Sequence, residues 1–282
     1  MSKWRTFLVS LFIIVIMIIQ LNQLTVTTLK YFPIDDTAFF LTTSTILSIN
    51  IKENSQPSLS WRIDSEHQTE SFLAHDVGLL YQNGKLKGLQ SKWSQKDSHL
   101  KQMISLLPER DNYYQAISYH YLELHPSENK INSNYQISTD LLFIVEDNPE
   151  QLDYFKIPES PLEKKLAQGL EDSTQIYLQE RWTDLIDHYE IDRNQYIEIP
   201  LVNLVDYQDK PLSGLNIDDS KRVIAQLWEG LYENYIIPNK QQKNHGADMP
   251  LILLDKNKDH LFVLFNDGEN VKQKLIQKLS VD

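Results

Sequence analysis

The sequence predicts an α+β protein. It expects a single N-terminal transmembrane helix followed by an extracytoplasmic domain, strand-rich in its first half and mixed helix and strand in its second. Three observations carry this. An almost unbroken apolar run follows Lys3 and Arg5. From about residue 46 to 145 the apolar residues come in short runs broken by Gly, Asn and Pro. After Ser160, helix-start signals enter and the apolar period lengthens.

The first element is the apolar run from Phe7 to Leu21, interrupted only by Ser10 and Gln20. A bilayer core of about 30 Å takes roughly 20 helical residues. The run reaches that length by continuing through Asn22 and Gln23 to Leu24, Val26 and Leu29. The flank from Gln20 to Thr25 is bulky and offers no small-residue cleavage site, so an uncleaved signal anchor is preferred to a cleaved signal peptide. Lys3 and Arg5 set the N-terminus in the cytoplasm. The expected plan is a short cytoplasmic tail and anchor over 1–30, with the span at 7 to about 27. A linker over 31–36, a strand-rich lobe over 37–149 and a mixed lobe over 150–282 follow. With about five cytoplasmic residues, inward signalling would need a partner membrane protein.

In the first lobe, Ile46 to Ile51 and Leu59 to Ile63 read as strands. Thr42, Thr43, Ser44, Thr45 and Ser48 make the segment before Ile51 a poor membrane helix. Asn83-Gly84 between two apolar runs predicts a two-residue hairpin turn. Tyr113 to Leu124 and Ile137 to Val145 read as strands, and Ser98 to Leu107 as a short helix. In the second lobe, Ser160-Pro161-Leu162-Glu163 combines an N-cap, a first-turn proline and a capping box, opening a helix to about Tyr189. Ile197 to Val205 reads as a strand interrupted by Pro200. A helix capped by Asp218 or Asp219 should run to about Tyr235. Pro250–Leu254 and His260–Phe265 form a hairpin, and Glu269–Leu279 a terminal helix.

Composition removes several chemistries. The chain has no cysteine, which excludes thiolate catalysis, disulfides and thiolate metal sites. It contains neither glycine-rich nucleotide motif. Three of its 27 cations and two of its 39 acids fall in residues 1–36, leaving 37–282 with a net charge of −13, a poor match for nucleic acid. The spacing Ser98-x-x-Lys101 recurs at Ser127 and Lys130, without the second motif that serine penicillin-binding enzymes carry. No two histidines stand at helical metal-ligand spacing. Asp255 to Asp259 starts like a calcium loop but places His260 where glycine is needed. Glu180, Asp184 and His188 share a helix face that reads as solvated. The polar loop Lys240–Met249 suggests function without naming a chemistry. No catalytic residue, metal or cofactor is expected.

One segment departs from the acidic background. Lys85, Lys87, Lys92, Lys96 and Lys101 are opposed between positions 85 and 101 only by Asp97, with Trp93 among them. Lys85, Lys87, Lys92, Trp93 and Lys96 are therefore candidates for contact with an anionic lipid or wall polymer, against the alternative of lysines protecting a strand edge. The expectation is a single-pass cell-membrane protein with its C-terminal domain outside the cytoplasm. It contacts lipid through its anchor and acts as a non-enzymatic interaction or accessory protein on another membrane or envelope protein. The alternatives are an envelope hydrolase with a site assembled from distant residues, or a module binding anionic lipid or wall polymer.

Overall fold

A computed structural model describes residues 38–51, 56–127, 130–148, 151–241 and 246–279. The tail, the expected span and the linker lie outside the described residues. Among the described residues no helix is long and apolar enough to cross a membrane.

Eight strands come first: β1 (Phe40–Asn50), β2 (Ser58–His67), β3 (Leu73–Gln82), β4 (Lys85–Ser94), β5 (His99–Leu106), β6 (Asn112–Ser127), β7 (Lys130–Asn148) and β8 (Gln151–Phe155). Then follow α1 (Pro161–His188), β9 (Tyr196–Pro200), α2 (Ile217–Leu231), α3 (Ile237–Gln241), β10 (Leu251–Asp255), β11 (His260–Asn266) and β12 (Lys272–Lys278). This is a mixed α+β domain. The strand-rich first half makes two antiparallel sheets, ordered β1-β2-β5 and β4-β3-β6-β7-β8, and the helices and the small sheet β12-β11-β10-β9 come later.

The five-stranded sheet is covered on both faces. One face packs on the three-stranded sheet through Leu47, Leu59, Trp61, Ile63, Leu80 and Tyr114. The other packs Val77, Leu79, Tyr81 and Tyr119 against Trp182 of α1, Trp228 of α2 and the strands of the small sheet. The two halves of the sequence thus share one core. Double coverage explains why β3 and β6 are buried almost throughout instead of alternating. Gly78 makes the sheet-to-sheet contact possible, because a Cβ there would stand 2.2 Å from Ile63 Cδ1 and 2.7 Å from Trp61.

The local signals place most boundaries. Asn83 and Gly84 have φ of 49° and 81°, the left-handed pair of the expected hairpin turn. Ser160 and Glu163 form the capping box, and α1 ends at His188. Two predicted helices are strands. Ser98–Leu107 offers apolar residues at helical spacing (Leu100, Met103, Ile104, Leu107) and also at alternate positions (Leu100, Ile104, Leu106). Pairing with β2 selects the alternation as β5. Glu269–Leu279 is rich in helix-forming Lys, Gln and Leu, yet residues 272–278 pair with the open edge of β11 as β12. Its lysines protect the outer edge of that sheet. The expected strand through Val205 stops at Pro200, on the other edge strand, and continues as a 3₁₀ segment over Leu201–Tyr207. The cap of α2 is Asn216, whose side chain accepts from Asp219 N, in place of Asp218 or Asp219. The helix then opens into a π-helical turn at Tyr232–Ile236 that delivers Tyr235 to the core.

Candidate functional site

The most concentrated polar chemistry lies in the seam between the two large sheets. β7 presents Asn134, Gln136, Ser138 and Asp140 at every second position, the period of one strand face. Each meets β1 or the residues just before it. Asn134 Nδ2 donates to the Ala38 carbonyl at 2.7 Å, and Thr43 Oγ1 donates to Gln136 Oε1 at 2.8 Å. Thr45 Oγ1 and Ser138 Oγ are 2.7 Å apart, and Leu47 N donates to Asp140 Oδ2 at 2.7 Å. β1 is an edge strand of its sheet. The side chains of β7 fasten it where a further strand would otherwise pair, satisfying polar groups that burial would leave costly.

Behind this zipper, three residues on the adjacent strands β3, β6 and β7 stand in the order of an acyl-transfer triad. His120 Nε2 is 2.8 Å from Ser138 Oγ, and His120 Nδ1 faces Asp76 Oδ1 at 3.0 Å. Asp76 Oδ2 accepts from Ser65 Oγ at 2.8 Å, and the Asp76 carbonyl accepts from Gln102 Nε2 at 3.0 Å. Its surroundings close it off. Thr45 Oγ1 stands 2.5 Å from Ser118 Oγ and 2.7 Å from Ser138 Oγ, so the serine hydroxyl is engaged on a second side. Asp76 and His120 have no exposed side-chain surface, and Thr45 lies across the serine.

A second polar group lies at the end of the sheet that holds the Asn83-Gly84 turn, here the distal end. A cleft of about 590 Å³ is lined by Asn83, Lys85, Lys87, Ser173, Thr174 and Tyr177. Lys85 Nζ stands 5.0 Å from the centre of the Tyr177 ring. The Tyr177 hydroxyl donates to Asp248, whose other oxygen accepts from Asn266 Nδ2 at 2.8 Å. Burial raises the Tyr177 phenol well above its ordinary range, and the neighbouring Asp248 adds to this. Lys85 also pairs with Asp248 through a backbone bridge, which ties part of the loop read as a possible site, Lys240–Met249, to the edge of the sheet. Residues 242–245 of that loop lie outside the described residues.

The five residues read as one anionic-surface contact are divided between the two ends of a strand. Lys85 and Lys87 are distal, and Lys87 pairs with Glu109 at 2.5 Å. Lys92 and Trp93 are at the opposite, proximal end, where β4 finishes beside the start of β3. Lys96 sits in the following turn, its N–H bonded to the Ser71 carbonyl. Lys92 Nζ donates to the Lys101 carbonyl at 2.9 Å. β4 is an edge of the five-stranded sheet, so the lysines also stand where edge protection operates.

Ser98 and Lys101 flank and enter a strand, where a three-residue spacing puts side chains on opposite faces. Ser127 and Lys130 face each other across a hairpin whose two central residues lie outside the described ones. Asp255 is buried and accepts from Asp259 N at 3.2 Å, closing a tight turn between β10 and β11. Asp184 pairs with Lys272 at 2.8 Å on the surface of α1. Sequence reasoning missed Asp76, His120 and Ser138. The alternating polar residues of β7 were a legible signal, but their partners in β1 lie 93 positions away. No family model matches the chain, and no curated protein and no solved structure matches it.

Proposed function

We propose that the chain is a membrane-anchored extracytoplasmic interaction or accessory protein of the cell envelope, without catalytic activity of its own. The observation that carries this reading is the closed state of the Ser138–His120–Asp76 chain. Among the described residues, the constellation that stands in the order of a hydrolase triad has a fully buried acid and base and a serine occupied by Thr45. Its groups are used in holding β1 to β7, which is structural work. The expected anchor and the net charge of −13 on residues 37–282 suit a folded domain displayed outside the cytoplasm and not one bound to nucleic acid.

The same constellation favours a second reading, the hydrolase assembled from distant residues, and one experiment separates the two. Full-length protein in native membranes is exposed to a fluorophosphonate probe. Under the proposal Ser138 is not labelled, and labelling that Ser138→Ala abolishes would overturn it. Protease added to intact protoplasts should digest the domain; complete protection would reject the extracytoplasmic placement. Crosslinking in the same membranes should capture one or more envelope proteins.

A further inference from the structure

The strand registers gather one end of both large sheets around the point where the chain enters the domain. Phe40 of β1 lies opposite His67 of β2, and Glu66 of β2 lies opposite His99 of β5. Leu73 opens β3 beside Glu123 of β6, and Ala74 lies opposite Ser94 of β4. Backbone hydrogen bonds from His67 to Ser98 and from Phe72 to Glu123 extend the two sheets there, and that from Ser71 to Asp97 links the connections between them. The described chain enters at this proximal end, where the Ala38 carbonyl accepts from Asn134.

Large apolar side chains face water at this end, as Ile51, Leu107 and Ile157 do at the distal one. Phe39 is 44% exposed, Leu41 52%, Phe72 47% and Trp93 63%. Phe39 and His125 line one cleft of about 330 Å³. Phe72 stacks on the His125 ring, with centroids 3.6 Å apart and planes 7° from parallel. Trp93 lies opposite His75, two residues inside the first position of β3, so it sits about 7 Å behind the tip. Both signs of charge stand here: Lys92, Lys96, Lys101 and Lys240 beside Glu66, Glu70, Asp97 and Glu123.

We propose that this proximal end rests on the outer face of the bilayer, with Phe39, Leu41 and Phe72 entering the interface and Trp93 at headgroup level. The inference rests on the anchored reading and deepens it. If the span ends near residue 27, ten residues separate it from Ala38, and covalent geometry limits their reach to roughly 35 Å. The tether holds the apolar end near lipid at high effective concentration, so a contact too weak for a free domain is populated. Aromatic side chains with a tryptophan set back from the tip match the water–lipid interface, where amphipathic rings concentrate. The balanced charge makes the contact apolar and insensitive to salt. It leaves the distal cleft of Lys85 and Tyr177 pointing away from the membrane, open to an envelope partner.

The test uses the full-length chain reconstituted in phosphatidylcholine vesicles, with and without phosphatidylglycerol, carrying bromine on the acyl chains near the headgroup. Trp4→Phe removes the one other tryptophan expected near lipid; Trp61, Trp182 and Trp228 are buried in the domain. Bromolipid should quench a component of the emission that Trp93→Phe eliminates. Adding Phe72→Trp to that variant should restore quenching, more strongly than at position 93. Flotation with the vesicles checks the anchor independently. Protein that floats but shows no quenching at either position overturns this inference and leaves the anchored reading intact, whereas protein that fails to float overturns both. Quenching lost at high salt would assign the contact to the lysines and overturn its apolar basis. Protection of Trp93 from oxidation in native membranes but not in vesicles would assign the surface to a protein and overturn it too.

Discussion

The two faces of the central five-stranded sheet are both buried, but the one toward the helices is mainly apolar while the one toward β1 joins an apolar half to a polar half. Toward the helices, β6 sends Ile117, Tyr119 and Tyr121 into a cluster with Trp182 and Trp228. Toward β1, the same strand sends Ser118 and His120 into the polar zipper of the seam. Neighbouring residues of β3 divide the same way: His75 packs edge-on against Tyr232 with ring centres 5.2 Å apart, while Asp76 meets His120. The apolar face gains its stability from area and tolerates small shifts. The seam gains orientation, since each polar group there has one acceptable partner and is costly without it. The apolar contacts on both faces therefore supply most of the stability, and the polar half of the seam fixes where β1 must lie.

The largest effect should come from breaking the seam at its centre. Asp76→Ala removes the carboxylate facing His120 and accepting from Ser65. Chemical denaturation should show a loss of about 3–5 kcal/mol, because two buried polar groups, Ser65 and His120, each lose a partner at about 1–3 kcal/mol apiece. A loss below about 1 kcal/mol would mean that water or movement of β1 replaces the carboxylate, and the seam would not be the rigid element described.

The adjacent His75 gives the contrasting pH response. Burial pushes its imidazole down to about 4, against the upward pull of Asp76 and with a smaller downward push from Lys240. As pH falls, the unfolded chain takes up this proton near 6.5 while the folded chain resists until about 4. The unfolded state binds more protons in that window, so stability should fall between pH 6.5 and 4, by about 3 kcal/mol from this residue alone. Comparing the natural chain with His75→Gln should isolate the effect as a slope present in the first and missing in the second. Equal slopes would reject a buried neutral His75.

How much of this was legible in the sequence follows from the range of the interactions. The Asn83-Gly84 turn, the Ser160–Glu163 capping box and the β10–β11 hairpin are specified by residues within a few positions of one another, and they stand where the sequence placed them. Segments 98–107 and 269–279 carried local patterns compatible with a helix, and β2 and β11 decided otherwise. The candidate site was less legible still. Asp76, His120 and Ser138 belong to three strands, and neither the alternation nor the composition of any one strand reveals the other two. The lysine segment was visible as a charge anomaly, but its division between two ends of the domain came from the β3–β4 register.

Gly78 sharpens the comparison from the apolar side of the seam. Gly78→Ala sets a methyl against Trp61 and Ile63, and Ile63 has more freedom to give way than the indole. Overpacking should cost about 2 kcal/mol, with Trp61 emission reporting the displaced ring. If stability is unchanged, the two sheets have slack between them, and the exact fit of β1 against β7 loses its support.

The smallest expected effect is the most specific. Thr45→Val keeps the shape of the side chain and removes the hydroxyl that joins Ser118 to Ser138. Ser138 retains His120, so only part of the network is orphaned, and the loss should be about 1 kcal/mol. The informative quantity is the coupling with Ser138→Ala. If Thr45 and Ser138 act through one another, the double variant should lose less than the sum of the singles, by about 0.5 kcal/mol or more. Strict additivity would mean that the two hydroxyls are satisfied independently. Hydrogen exchange at Thr45 and Leu47 gives a second view, because loosening the zipper should speed exchange in β1 while leaving the helix-facing core at its original rate. Accelerated exchange spread evenly over both faces would show that the seam is ordinary core and does not separately position the first strand.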